Sequence, residues 1–131
     1  MAHPNQFTVN EAWLVFKLNE EPIHTERDGA FNFLALMDAA SCFILSSAPV
    51  SASQVEPTTL QSRRLLEQGQ SHKKRWPKTL FVPTDLAAQF LTAEAEQFGV
   101  RVVRVSEDQL SAFITEAREG FREHFGNRTV N

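Results

Sequence analysis

The sequence has no tyrosine and a single cysteine, Cys42, among its 131 residues. One thiol cannot close an internal disulfide, so packing alone must hold the fold, as suits a reducing compartment. Eleven Phe and two Trp without any Tyr give an aromatic core with few buried hydroxyls to satisfy. No stretch approaches the roughly 18 apolar residues that span a bilayer. The opening MAHPNQFTVN lacks the basic and apolar regions of a secretory signal. These absences set the expectation of a cytoplasmic chain that does not engage a membrane. The P-loop, G-x-G-x-x-G, G-x-S-x-G and C-x-x-C patterns are all missing, which removes most common cofactor and nucleophile readings. His3, His24, His72 and His124 show no metal-ligand spacing. His24 sits in a charged solvated turn, and His124 borders the apolar face of the last helix.

A hydrophobic content of 42% and a charged content of 22% are ordinary for a globular chain and exclude wholesale disorder. This length suits one domain that buries about two-thirds of its unfolded surface. Residues 1–10 are polar and aperiodic and read as a tail. A single α/β domain is expected over 11–126, with a second tail at 127–131.

AWLVFKL (12–18) reads as a strand and HTERDGA (24–30) as a charged turn. FNFLALM (31–37) is apolar on both faces, as in a central strand, and puts Phe33 in the core. CFILSS (42–47) gives a third strand. Between the last two lies DAAS, the length of a hairpin connection. Asp38, the one acid in this apolar run, therefore reads as a turn residue bonding nearby backbone amides, not as a catalytic acid. APVSASQVEPTT is a surface loop leading to a short helix near 58–69, and GQSHKKRWP is a basic loop.

KTLFV is a strand, and PTDLAAQFLTAEAEQF is a helix closed by Gly99. VRVVRV is the next strand. SEDQLSAFITEAREGFREHF reads as a helix opened by a Ser106–Gln109 capping box. The order is thus β-β-β-α-β-α-β-α: three antiparallel strands followed by two βα units, whose crossovers favour parallel pairing. A mixed five-stranded sheet with helices against it is expected.

LALMDAASCFIL and WPKTLFVPTD carry a resemblance over residues 12–125. The order and these segments resemble the ribonuclease H-like fold, and in particular the cores of retroviral integrases and bacterial transposases. The echoed positions are Leu36, Asp38, Ser41 and Ile44, with the proline and the terminal acid around KTLFV. The resemblance implies three carboxylates holding two divalent metal ions. Its first acid belongs in the middle of the first strand, where the only charge here is Lys17. Asp85 matches the second acid by position, and a capping role at the helix start explains it equally well. Glu116 and Glu119 are the candidates for the third, although neither lies on the apolar face of its helix.

The strongest local charge feature is SHKKRWPK (71–78). From Arg63 to Lys78 six basic residues face one acid, while the chain as a whole carries -3. Lys73, Lys74, Arg75 and Lys78 suit phosphate contact, with Trp76 as a stacking ring, or docking to an acidic protein. A solvated loop with its Trp packed inward explains the stretch too. The net charge argues against a general nucleic-acid coating protein and leaves weak contact through 72–78 open.

Two functions follow. The first is a non-catalytic interaction or accessory module with a protein partner and no cofactor. The second is a nuclease-like or mobile-element-derived enzyme that uses Asp85 with Glu116 or Glu119 and needs Mg2+ or Mn2+.

Overall fold

Six strands form one mixed sheet in the computed structural model, which describes residues 2–27 and 29–129, with side chains through Glu123. The strands are β1 (Ala12–Lys17), β2 (Ile23–Thr25), β3 (Gly29–Asp38), β4 (Ile44–Ser51), β5 (Thr79–Pro83) and β6 (Arg101–Val105). The helices are α1 (Thr59–Lys73), α2 (Gln89–Gln97) and α3 (Ser111–Thr129). Across the sheet the main order is β4-β3-β1-β5-β6, with β3 antiparallel to both β1 and β4. β1, β5 and β6 are mutually parallel.

The extra strand is β2, which falls in the segment expected to be only a charged turn. Ile23 pairs with Phe31, His24 with Ala30 and Thr25 with Gly29, so β2 lies along the first residues of β3. Three residues are too few to show an alternating pattern, which is why the sequence conceals them.

Alternation along β1 and β3 divides the core into two layers. Trp13, Val15, Leu34 and Leu36 pack with Leu65, Leu66, Leu91 and Ala95 beneath α1 and α2. Leu14, Phe16, Ala35 and Met37 pack with Leu110, Phe113 and Ile114 of the last helical region. Both faces of the central strands are covered, and this accounts for their unbroken apolar runs. α1 approaches the sheet closely at Gly69, where a Cβ would stand 2.6 Å from Leu36 and 3.4 Å from Trp13.

Several boundaries move from those expected. β4 runs on to Ser51, so the first third of the expected surface loop is strand. α1 extends to Lys73, with Lys74 as a left-handed cap at φ 63°, so only the end of the basic stretch is loop. Thr58 and Gln61 form a reciprocal capping box at the start of α1. The box expected at Ser106 and Gln109 does not form: residues 107–110 make a 3-10 turn, and the Ser106 side chain takes no capping bond. α2 starts only at Gln89. Glu56, from the connection between β4 and α1, accepts the Phe90 N–H there at 3.0 Å. Gly99 has the positive φ, 83°, expected of it at the end of α2.

The N-terminal segment is not a loose tail. Phe7 packs edge-on to Phe81 and lies against Phe113, and Asn10 is buried. At the other end, residues 127–129 continue α3. The side chain of His124 lies outside the described residues. Phe33 is only half-buried and meets Phe31 and Phe121 edge-on, because α3 covers that end of the sheet incompletely.

Candidate functional site

The sequence raised Asp38 first, and the structure answers for it. Its carboxylate is fully buried at the end of β3. Oδ2 accepts the Ser41 N–H at 3.0 Å and the Ser41 hydroxyl at 2.6 Å, and Oδ1 accepts the Asn10 N–H at 2.7 Å. The first two bonds close the hairpin between β3 and β4 as expected. The third ties it to the segment before β1. With this acceptor capacity committed to amides and a hydroxyl, Asp38 is a structural acid.

At the far end of β1, the parallel strands β1 and β5 finish side by side. Lys17, Pro83, Asp85, Leu86 and Glu107 line a small cleft there of about 90 Å³. Asp85 lies exposed in the turn after β5, four residues short of α2, so it does not cap that helix. Glu107 is paired with Arg118, which also donates from Nε to the Lys17 carbonyl at 3.0 Å. The middle of β1, where the resemblance places its first acid, holds the fully buried Leu14, Val15 and Phe16.

Glu116 and Glu119 do not complete a site with Asp85. Glu116 is felt at the Cys42 thiol, beside the Asp38 hairpin at the other end of β1. Burial pushes the Cys42 thiol up, and the charges of Glu116 and Asp38 push it further. Glu119 is exposed on α3. Among the described residues, no three His, Cys, Asp or Glu side chains gather in a way that could hold a metal ion. The cleft's donor set is poor for Mg2+ or Mn2+: Asp85 is its one uncommitted carboxylate, and an ammonium shares the lining.

The basic stretch lies at the opposite end of the sheet, near the start of β1 and β5. Trp76 is not displayed to solvent as a stacking ring. It lies face to face with Phe98, centroids 4.3 Å apart and planes 12° apart, and tilts against Trp13 at 5.9 Å. The inward-packing alternative is therefore the correct one for this Trp. Arg75 and Lys78 line a second cleft of about 460 Å³ with Thr8, Val9, Asn10, Glu11 and Trp76. The Thr8 N–H holds the Glu11 carboxyl below its ordinary range, with the Thr8 hydroxyl and the charge of Lys78 adding to this. Lys73 stands over the ring of Phe43 at 5.9 Å, and His72 meets the same ring edge-on.

Sequence reasoning missed two residues of this end. Asn10 adopts φ 65°, which Asn tolerates better than most residues. It accepts the Trp13 indole N–H at 2.7 Å and donates to the Arg75 carbonyl at 3.2 Å. Its signal was an Asn just before a strand, hidden in a polar stretch. Phe43 falls within the strand expected over 42–47. It stands in the connection before β4, after Cys42 at φ 58°, and is 52% exposed.

No family model matches the chain, and no curated protein matches it either. Solved structures do. One match is to a chain of the simian T-cell lymphotropic virus intasome in complex with a PP2A regulatory subunit, at 12% identity and a TM-score of 0.61. It covers 93% of this chain and 42% of the other, so this chain spans under half the length of that relative. Another is the catalytic core domain of BIV integrase, at 9% identity and a TM-score of 0.59, covering 92% of this chain and 72% of that one. The fold is the ribonuclease H-like fold of retroviral integrase cores. At such identities the likeness concerns the fold alone.

Proposed function

We propose that this chain is a non-catalytic interaction module on a ribonuclease H-like scaffold, with a protein as its partner in the cytoplasm. One observation carries the reading: Lys17 shares with Asp85 the cleft at the ends of β1 and β5. An ammonium there opposes a divalent cation, and Arg118 holds the second acid, Glu107. The fold has kept its two-layer core while the middle of β1 carries only apolar side chains.

Calorimetric titration with Mg2+ and Mn2+, alongside a cleavage assay on single- and double-stranded DNA and RNA, tests this. No stoichiometric metal binding and no cleavage are expected. Metal-dependent cleavage that disappears in Asp85→Ala would overturn the reading in favour of the nuclease-like, mobile-element-derived enzyme.

Contact with nucleic acid through 72–78 has one supporting observation, the cluster of Lys73, Lys74, Arg75 and Lys78. With the Trp76 ring spent on Phe98, such contact is electrostatic and salt-sensitive.

A further inference from the structure

The Arg75–Lys78 cleft has the makings of a prepared anion site. Its backbone is pinned on both sides: the Arg75 carbonyl accepts from the Asn10 side chain at 3.2 Å, and the Lys78 N–H donates to the Glu11 carbonyl at 3.0 Å. The side chains stay uncommitted. Among the described residues, Lys74 and Arg75 have no side-chain hydrogen bond or ion pair. Lys78 makes no ion pair or side-chain hydrogen bond either; the Glu11 carboxylate feels its charge, with Oε1 accepting from the Thr8 N–H and hydroxyl. Holding unpaired cations on a fixed backbone lowers the ordering cost of meeting an anionic partner. Two exposed apolar residues belong to the same end, Val9 at 54% and Phe43 at 52%. Lys73 and His72 flank Phe43.

We propose that this end of the sheet docks an acidic peptide segment of a partner protein, with carboxylates meeting Arg75 and Lys78 and apolar side chains meeting Val9 and Phe43. The proposal rests on the interaction-module reading and gives it a surface and a partner chemistry. Charge complementarity selects the occupant. Lys73, Lys74, Arg75 and Lys78 cluster at one end of a chain of net charge -3, which suits a short segment with a few carboxylates. A nucleic acid presents dense charge along its whole length and is repelled by the acidic remainder. Strand binding also draws on successive exposed rings, and Phe43 is the one displayed here, because Trp76 and Phe98 stack on each other. Arg75 can take a carboxylate bidentately, while Lys78 adds a point charge.

Selection from a random dodecapeptide display library on the immobilised full chain tests the proposal, with the double variant Arg75→Glu, Lys78→Glu as the control surface. Enriched peptides should be acidic with interspersed apolar residues. A synthetic copy should bind the double variant at least tenfold more weakly, and Phe43→Ala several-fold more weakly. Circular dichroism melts confirm that both variants are folded. Enrichment of non-acidic peptides, or equal binding to the double variant, would overturn the proposal. So would failure to enrich anything above the control. Tighter binding of a single-stranded dodecanucleotide than of any selected peptide, lost in the double variant, would assign the cleft to nucleic acid instead. These outcomes are independent of the metal and cleavage assays, so the docking site and the non-catalytic reading can fail separately.

Discussion

Asp38 accepts the backbone N–H of Asn10 at 2.7 Å, across 28 residues of sequence, and so locks the β3–β4 hairpin to the segment that enters β1. The same Asn10 holds the Trp13 indole and the Arg75 carbonyl, which makes these two residues the joint between the hairpin, the core and the basic cleft. Asp38→Ala would strand the buried Asn10 N–H and release the part-buried Ser41 N–H and hydroxyl, at a cost of roughly 2 to 4 kcal/mol. Urea denaturation measures this directly. A loss under about 1 kcal/mol would mean that the joint carries no weight.

Trp76 is a packing residue. Removing its ring in Trp76→Ala should cost about 2 to 3 kcal/mol, less than a fully buried Trp because the side chain is partly exposed. Its fluorescence should stay unchanged when oligonucleotide is added at low salt. Strong quenching would show that the ring leaves Phe98 to stack on bases.

Gly69 sets how closely α1 approaches the sheet. Ala is the better helix former by about 1 kcal/mol, which alone would stabilise α1. Its Cβ would stand 2.6 Å from a Leu36 methyl that is packed against Trp13 in a fully buried layer. Overpacking of this kind costs roughly 1 to 3 kcal/mol, so Gly69→Ala should be destabilising on balance. A raised melting temperature would show that Leu36 has room to move.

Cys42 should alkylate slowly. Burial, Glu116 and Asp38 all disfavour the thiolate, so the iodoacetamide rate should rise at a higher pH than for a free thiol. Glu116→Gln should move that rise to lower pH. For stability the sign is fixed: the folded chain holds this proton more tightly than the unfolded chain. The contribution is complete below the ordinary thiol pKa and is lost as pH rises through the raised value. A profile unchanged in Glu116→Gln would remove Glu116 as a cause.

The sequence by itself determined the order of the five longer strands and three helices, the two-faced burial of the central strands and the turn role of Asp38. Each of these rests on local chemistry: an apolar run on both faces of a strand, a hairpin-length gap, and a short acid able to bond adjacent amides. The absence of a carboxylate from the middle of β1 was equally legible, because a strand's residues are known once the strand is. Tertiary structure alone decided the rest. β2 exists because β3 offers it an edge, and three residues carry no period of their own. Phe7 and Asn10 become part of the domain through partners dozens of residues away. Phe98, 22 positions along the chain, turns Trp76 from a displayed ring into core. Helix starts shift for the same reason, since Glu56 caps α2 from another element and leaves Asp85 outside the helix. Adjacent residues fix local conformation; which side chains remain free to meet a partner depends on which others the folded chain brings to them.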